Sequence, residues 1–122
     1  MYSTLSITDW AWIAGLLEGE GCFGVQDGYC RIYLNMTDED VVSKFARLLD
    51  GNLRTQDMSK YNPKAKLSYR VTISHRDKVA SILTAIFPFM SARRRESIKA
   101  MVDAFKAKNY DVPLPDINAP AI

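Results

Sequence analysis

The sequence predicts an α+β domain whose elements follow the order α-β-β-α-β-β-α-α. Two observations support this prediction. An apolar segment with helical spacing opens the chain, and a strand, strand, helix pattern then occurs twice. A last amphipathic segment, from about residue 91 to residue 108, completes the order. This pattern favours one four-stranded antiparallel sheet with helices covering one of its faces.

The opening helix contains two glycines four residues apart. Asp9 is predicted as its N-cap and Gly21 as its stop. Gly15 and Gly19 are each about 1 kcal/mol less favourable than Ala in a helix interior, so we expect another backbone to approach this face closely. A second copy of the helix would do so, and packing on the chain's own sheet is the alternative. The predicted dimer-interface residues are Trp12, Gly15, Leu16 and Gly19.

Two carboxylates, Glu18 and Glu20, stand at the C-terminal end of this helix. The helix dipole disfavours negative charge there by about 0.3 to 1 kcal/mol for each group, and a divalent cation would reverse that sign. If two helices packed through their glycines, two copies of Glu20 would converge and would need a metal ion or a proton between them. The pattern is typical of a metal site at a dimer axis.

Two hairpins are predicted after this helix. Strands at 22–26 and 29–36 flank an Asp27-Gly28 turn, and strands at 52–57 and 67–74 flank a polar stretch that contains Lys66. Alternation predicts an inward face of Phe23, Val25, Ile32, Leu34, Met36, Leu53, Val71 and Ile73. The opposite face would include Cys22, Gly24, Gln26, Tyr29, Arg31, Tyr33, Asn35, Arg54, Gln56, Ser68, Arg70 and Thr72.

Capping boxes are predicted at residues 37–40 and 74–77, each followed by an amphipathic helix. Residues 111–122 contain three prolines and are predicted to form a tail after a single domain at 1–110.

The net charge of +2 is unevenly distributed. Residues 1–40 hold seven acids and one base, whereas residues 41–122 hold seven acids and fifteen bases. The later part therefore carries the attraction for a polyanion. The outward sheet face suits the DNA major groove, where Arg reads guanine, Asn or Gln reads adenine, and Lys or Arg grips phosphates.

Cys22, Cys30 and the single His75 do not have the spacing of a zinc site, and we expect a reduced, intracellular protein. No signal peptide and no long apolar run is visible, so secretion and membrane insertion are not expected. The compartment stays open between a bacterial or phage-infected cytoplasm and an organelle.

The segment Ile13-Ala14-Gly15-Leu16-Leu17-Glu18-Gly19-Glu20-Gly21 resembles the motif that names the LAGLIDADG homing endonucleases, with Glu at both Asp positions. The predicted element order resembles one LAGLIDADG half-domain, whose saddle-like sheet faces DNA. One motif per chain implies a homodimer, and its symmetry implies a long, palindromic or nearly palindromic target.

The resemblance also assigns site residues. It implies that the carboxylate of Glu20 and the carbonyl of Gly21 bind divalent cations, with Mg²⁺ expected, while Glu18 is structural. Arg93, which follows a Pro-aromatic pair, takes the place of the family's usual lysine near the scissile phosphate. Asp38 falls on the position that orients water. The DNA-contacting set is then Gln26, Tyr29, Arg31, Tyr33, Asn35, Arg54, Gln56, Lys66, Ser68, Arg70 and Thr72.

These expectations predict a homodimeric, metal-dependent DNA endonuclease of a mobile intron or intein-like element. An alternative is a protein with the same fold that does not cleave DNA, either an intron RNA maturase or a DNA-binding regulator. A third interpretation is a structural interaction domain whose glycine helix only dimerises, and it predicts neither metal dependence nor salt-sensitive DNA binding.

Overall fold

A computed structural model describes residues 1–121, and within them the predicted order of elements is confirmed. The elements are α1 (Ile7–Glu20), β1 (Gly21–Gln26), β2 (Tyr29–Met36), α2 (Glu39–Leu49), β3 (Asn52–Gln56), β4 (Ser68–Ile73), α3 (Arg76–Ile86), a 3₁₀ turn (Phe87–Phe89) and α4 (Ala92–Ala107). In this part of the chain, no helix is long and apolar enough to cross a membrane.

The four strands form one antiparallel sheet in the order β1-β2-β4-β3, so β2 and β4 are the inner strands. The first hairpin turns at Asp27 and Gly28, with φ of 54° and 80°. Positive φ at both central residues is what a type I′ turn requires, and Asp-Gly is one of its preferred pairs. This local chemistry fixes the β1–β2 register and therefore which side chains face outward.

The core lies between the sheet and the helices. Ile32, Leu34 and Val71 on the inner strands are fully buried. Two residues that alternation assigns to the core are not buried, because Val25 is 44% exposed and Leu53 is 41% exposed. Both lie on the edge strands β1 and β3, so alternation gives the correct face but the helices leave these positions largely uncovered.

Several predicted helix caps are wrong. The N-cap of α1 is Ser6, whose hydroxyl accepts from the Asp9 backbone N–H, while the Asp9 carboxylate accepts from the Ser6 N–H. Asp9 is thus the third residue of a capping box rather than the N-cap. Helices α2 and α3 begin after Asp38 and His75, and neither N-cap side chain makes a capping hydrogen bond. The prediction of Gly21 as the end of α1 is confirmed.

The segment 111–121 contains no helix or strand, but it lies against the domain. Val112, Leu114 and Ile117 are partly buried against the hydrophobic core. The Arg95 Nη1 atom donates a hydrogen bond of 2.7 Å to the carbonyl of Ala119. The C-terminal segment therefore packs on the body of the protein through apolar contacts and this hydrogen bond.

Candidate nucleic-acid interface and active site

The sheet face that points away from the helices, here called the open face, gathers the outward side chains of all four strands. Strand register aligns Cys22 with Tyr33 and Thr72, and it aligns Asn35 with Arg70 and Arg54. The predicted DNA-contacting residues on the strands lie on this face: Gln26, Tyr29, Arg31, Tyr33, Asn35, Arg54, Gln56, Ser68, Arg70 and Thr72. Lys66 lies outside the strands, exposed in the loop that leads into β4.

Side-chain contacts organise the open face. The Arg31 Nη2 atom donates to Oε1 of Gln26, and the Asn35 Nδ2 atom donates to Oε1 of Gln56 at 3.2 Å. Arg70 lies over the ring of Tyr33, with its Cζ atom 4.8 Å from the ring centroid. The polar side chains of this face thus interact with one another and partly determine which donors remain for a ligand.

The open face is basic and grooved. Its strand positions hold Arg31, Arg54 and Arg70 and no carboxylate. A shallow groove of about 510 Å³ opens beside the first hairpin and is lined by Gln26, Asp27, Tyr29, Cys30, Arg31, Thr72 and Ser74. Three positive charges on strand positions that carry no carboxylate favour a polyanion, although Asp27 lies at the hairpin end of the groove. The amides and hydroxyls around the arginines can pair with base edges.

Glu18 joins the end of α1 to the beginning of α4. Its carboxylate accepts from the Ser91 backbone N–H at 2.6 Å and from the Ser91 hydroxyl at 2.8 Å. Desolvation raises the pKa of Glu18, but the Ser91 hydrogen bonds and the charges of Arg94 and Arg93 outweigh it and lower the pKa below its usual range. The N-terminus of α4 also favours a negative charge there. Glu18 is therefore a structural carboxylate, as the resemblance implies.

Glu20 differs from Glu18 because it is exposed at the last position of α1. In residues 1–121, no three His, Cys, Asp or Glu side chains come together to hold a metal ion. Carboxylate and carbonyl oxygens from Glu20 and Gly21 are nevertheless the hard ligands that Mg²⁺ prefers. Mg²⁺ commonly binds through one or two carboxylates, several waters and substrate phosphates. The donor set of Glu20 and Gly21 thus fits Mg²⁺.

The three consecutive arginines of α4 have different environments. Arg94 donates through Nε to the carbonyl of Glu18 at 2.9 Å, and Arg95 donates to Ala119 and lies 4.4 Å from the ring centroid of Phe87. Arg93 is exposed, and its charge is close enough to lower the pKa of Glu18. Of the three, Arg93 is the one left available for a phosphate.

The structural roles of Arg94 and Arg95 were missed in the sequence analysis, although a signal existed. Arg94 precedes the buried Ile98 by four residues and Arg95 precedes it by three, so both fall on the buried side of the helix. Arg93 precedes the exposed Ala100 by seven residues and shares its outer face. Helical periodicity alone therefore separates Arg93 from its neighbours.

Asp38, the third predicted catalytic residue, is the exposed N-cap of α2. Among residues 1–121 it makes no ion pair with Arg93, and no carboxylate cluster joins it to Glu20. The structure therefore does not bring the three predicted catalytic side chains into one contact network, and the role of Asp38 stays a prediction.

The outer face of α1 is open. Gly15 and Gly19 are exposed, and a Cβ atom built on either would meet nothing within 4 Å. Packing on the chain's own sheet therefore does not explain these glycines. Trp12 and Leu16 are half-buried beside them, and the Lys44 ammonium lies 4.2 Å from the Trp12 ring centroid. The four predicted interface residues thus border one accessible helix face.

Comparisons with known proteins agree with this geometry. A sequence model described as a LAGLIDADG-like domain matches residues 8–86. The fold is similar to that of an archaeal intron-encoded homing endonuclease, I-Vdi141I, solved as a complex with DNA. That match has a TM-score of 0.56 and 13% sequence identity, and it covers 91% of each chain. A search of curated proteins finds no match. Since the matched segment spans more than half of the 122 residues, the chain belongs to the family of LAGLIDADG-like domains.

Proposed function

We propose that this protein is a site-specific DNA endonuclease that acts as a homodimer and uses a divalent cation, with Mg²⁺ as the expected ion. One observation carries the proposal. Of the two motif acids, Glu18 is engaged by Ser91, whereas Glu20 is exposed at the end of the motif helix. A free carboxylate at a helix C-terminus is disfavoured by the dipole unless a cation joins it.

The open face would bind the target in the major groove. Its arginines and amides supply donors and acceptors for base edges, while Lys66 and its exposed loop neighbours Lys60 and Lys64 suit phosphate contacts. The residues of this face alternate with buried core residues, so the sheet holds them at fixed spacing. A rigid array of this kind supports recognition of a defined sequence.

Near the scissile phosphate, the chain's own residues would have distinct roles. Glu20 and the carbonyl of Gly21 would bind the cation, which supplies Lewis-acid chemistry for phosphodiester hydrolysis. Arg93 would neutralise charge that develops on the phosphate in the transition state. Glu18 would position Arg93 indirectly, because it holds the N-terminus of α4 against α1.

A homodimer follows from the proposal because each chain carries one motif and each DNA strand needs its own cut. The open outer face of α1 offers the glycines for close helix packing. In such a pair the two Glu20 residues would flank the symmetry axis, and a two-fold protein would select a palindromic or nearly palindromic target.

A second candidate function is nucleic-acid binding without cleavage, by an intron RNA maturase or a DNA-binding regulator. Arg93 favours this candidate, because it stands where the family usually carries a lysine and a guanidinium does not act as a general acid or base near neutral pH. Retention of Glu20 favours cleavage.

Cleavage of a library of palindromic duplexes in Mg²⁺ tests the proposal. The native protein should cut a restricted set of sequences, Glu20→Gln should lose at least about 100-fold in rate, and chelation should abolish cutting. Asp103→Asn is the matched control, because it removes one exposed acid from α4 far along the helix from Arg93. Sequence-specific binding without cutting by any of the three proteins would favour the non-cleaving relative.

A further inference from the structure

Arg70 occupies the middle of the open face. It lies on the inner strand β4, directly across from Asn35 on β2 and from Arg54 on β3. A side chain at this position faces the deepest part of a groove that the sheet enters, whereas side chains on the edge strands lie nearer the phosphates that flank the groove. Its location therefore favours contact with a base edge.

Arg70 is also held in place before any ligand binds. Its guanidinium lies 4.8 Å from the ring centroid of Tyr33, its diagonal neighbour across the β2–β4 pair. Its Nε atom is buried and has no hydrogen-bond partner within residues 1–121. The side chain thus lies along the sheet surface and has already lost much of the conformational freedom that binding would remove.

The charge next to Arg70 is unfavourable in the free protein. Arg54 is its direct cross-strand partner, and like charges directly opposite each other destabilise a sheet. The ion pairs found within residues 1–121 join Lys78 to Asp50 and Lys99 to Glu96, so neither relieves this pair. Two arginines at paired strand positions, neither of which takes part in these ion pairs, favour a ligand that presents electron-rich acceptors.

Arg31 provides the internal contrast. It is on the same face, but one of its terminal nitrogens already donates to Gln26. Arg31 therefore has an acceptor within the protein, whereas none of the hydrogen bonds found within residues 1–121 involves the Arg70 guanidinium. Of the arginines on the inner strands β2 and β4, Arg70 is thus the one prepared for an external acceptor.

The proposed function supplies a ligand of the right chemistry. In the major groove, guanine presents O6 and N7 side by side, and a guanidinium can donate to both. We propose that Arg70, oriented by the ring of Tyr33, reads one guanine in each half of the DNA site. This inference rests on the proposed function and adds to it a residue that determines which DNA sequence is bound. Arg54 then contributes positive charge beside that guanine without reading it.

A binding selection from randomised palindromic duplexes tests the inference, with Ca²⁺ in place of Mg²⁺ to keep the DNA intact. The native protein should enrich sites with one invariant guanine per half. Arg70→Lys keeps the charge but loses the planar fork, so preference at that position should fall by about tenfold or more while the other positions are retained. Arg47→Gln, on the exposed side of α2, is the matched charge control and should leave the preference unchanged.

Two further measurements separate base reading from a structural role. Replacing the invariant guanine by 7-deazaguanine removes the N7 acceptor, so it should weaken binding of the native protein but have little additional effect on Arg70→Gln. Tyr33→Ala should reduce the guanine preference, and Tyr33→Phe should retain it, because the ring is what orients Arg70. Thermal unfolding of each variant identifies any loss that comes from misfolding.

The outcomes distinguish this inference from the function on which it rests. A defined site without an invariant guanine, or one whose guanine preference survives Arg70→Lys, would overturn the role of Arg70 and leave the DNA-binding function standing. If Arg70→Lys weakened binding to all sequences equally, Arg70 would be a phosphate contact, and this result would also overturn the assignment. If no sequence were enriched at all, the proposed function itself would fail.

Discussion

At the scale of single residues, the two motif acids solve the same electrostatic problem differently. Both stand at the C-terminal end of α1, where the dipole opposes negative charge. Glu18 is compensated by the N-terminus of α4 and the Ser91 hydrogen bonds rather than by a metal ion. The sequence predicted the unfavourable charge at the helix end. The contact that compensates it joins Glu18 to Ser91, 73 positions apart, and no local sequence pattern predicts such a contact.

The contact of Glu18 makes stability dependent on pH. The folded-state pKa of Glu18 lies below its usual value of 4.5, so its stabilising effect is present above about pH 4.5 and is lost as the pH falls through the lowered folded-state pKa. Glu18→Gln should flatten this acid-side loss and should reduce stability at neutral pH by about 1 kcal/mol, as loss of a helix-terminus contact does. Urea unfolding from pH 7 to pH 3 measures both effects.

Glu96→Gln is the control for this experiment, since Glu96 is exposed and pairs with its helical neighbour Lys99. Its pH dependence should follow that of the native protein. A Glu18→Gln variant with an unchanged acid-side profile would show that the Ser91 contact contributes nothing to stability.

At the scale of elements, turn residues and helical spacing predicted those features that depend on residues close together in the sequence. The Asp27-Gly28 turn fixed the first hairpin, and the amphipathic helix predicted after residues 74–77 is α3, whose buried residues include Val79, Ile82, Leu83 and Ile86. The capping predictions at 37–40 and 74–77 were wrong. The residue types at both sites fit a capping box, but in the fold neither N-cap side chain makes a capping hydrogen bond. Exposure of Val25 and Leu53 depends on how far the helices extend over the sheet, which alternation does not encode.

Helix α1 gives the prediction that belongs to this scale. Because nothing lies within 4 Å of a Cβ built at Gly15, Gly15→Leu should leave the isolated chain folded. In a dimer packed through the glycines, the added side chains would overlap, at about 1 to 3 kcal/mol for each overpacked contact. Sedimentation equilibrium should therefore show the variant as a monomer at concentrations where the native protein is a dimer.

Ala100→Leu adds similar bulk to an exposed helical position on α4 and should leave the dimer intact. If Gly15→Leu dimerised as well as the native chain, the helix face bordered by Trp12, Gly15, Leu16 and Gly19 would not be the interface.

At the scale of the whole molecule, the fold separates the acids proposed to bind metal from the bases proposed to bind DNA. The acids of the motif lie at the end of α1, and the bases of the open face lie across the sheet. The order of elements and the outward face followed from periodicity, because both depend on residues near one another in sequence. Helical periodicity separates Arg93 from Arg94 and Arg95, whereas the distinction between Glu18 and Glu20 depended on the contact between Glu18 and Ser91 that only the folded chain reveals.

The central claim is that Glu20 residues from two chains hold a divalent cation at the symmetry axis of a DNA-bound dimer. A crystal of the protein with its selected DNA site, soaked in Mn²⁺, tests this claim most directly through anomalous scattering. We expect anomalous peaks beside the Glu20 carboxylates of both chains, next to the phosphates to be cut, and their loss in Glu20→Gln. Peaks remote from Glu20, or a bound dimer joined through a surface other than α1, would contradict the claim.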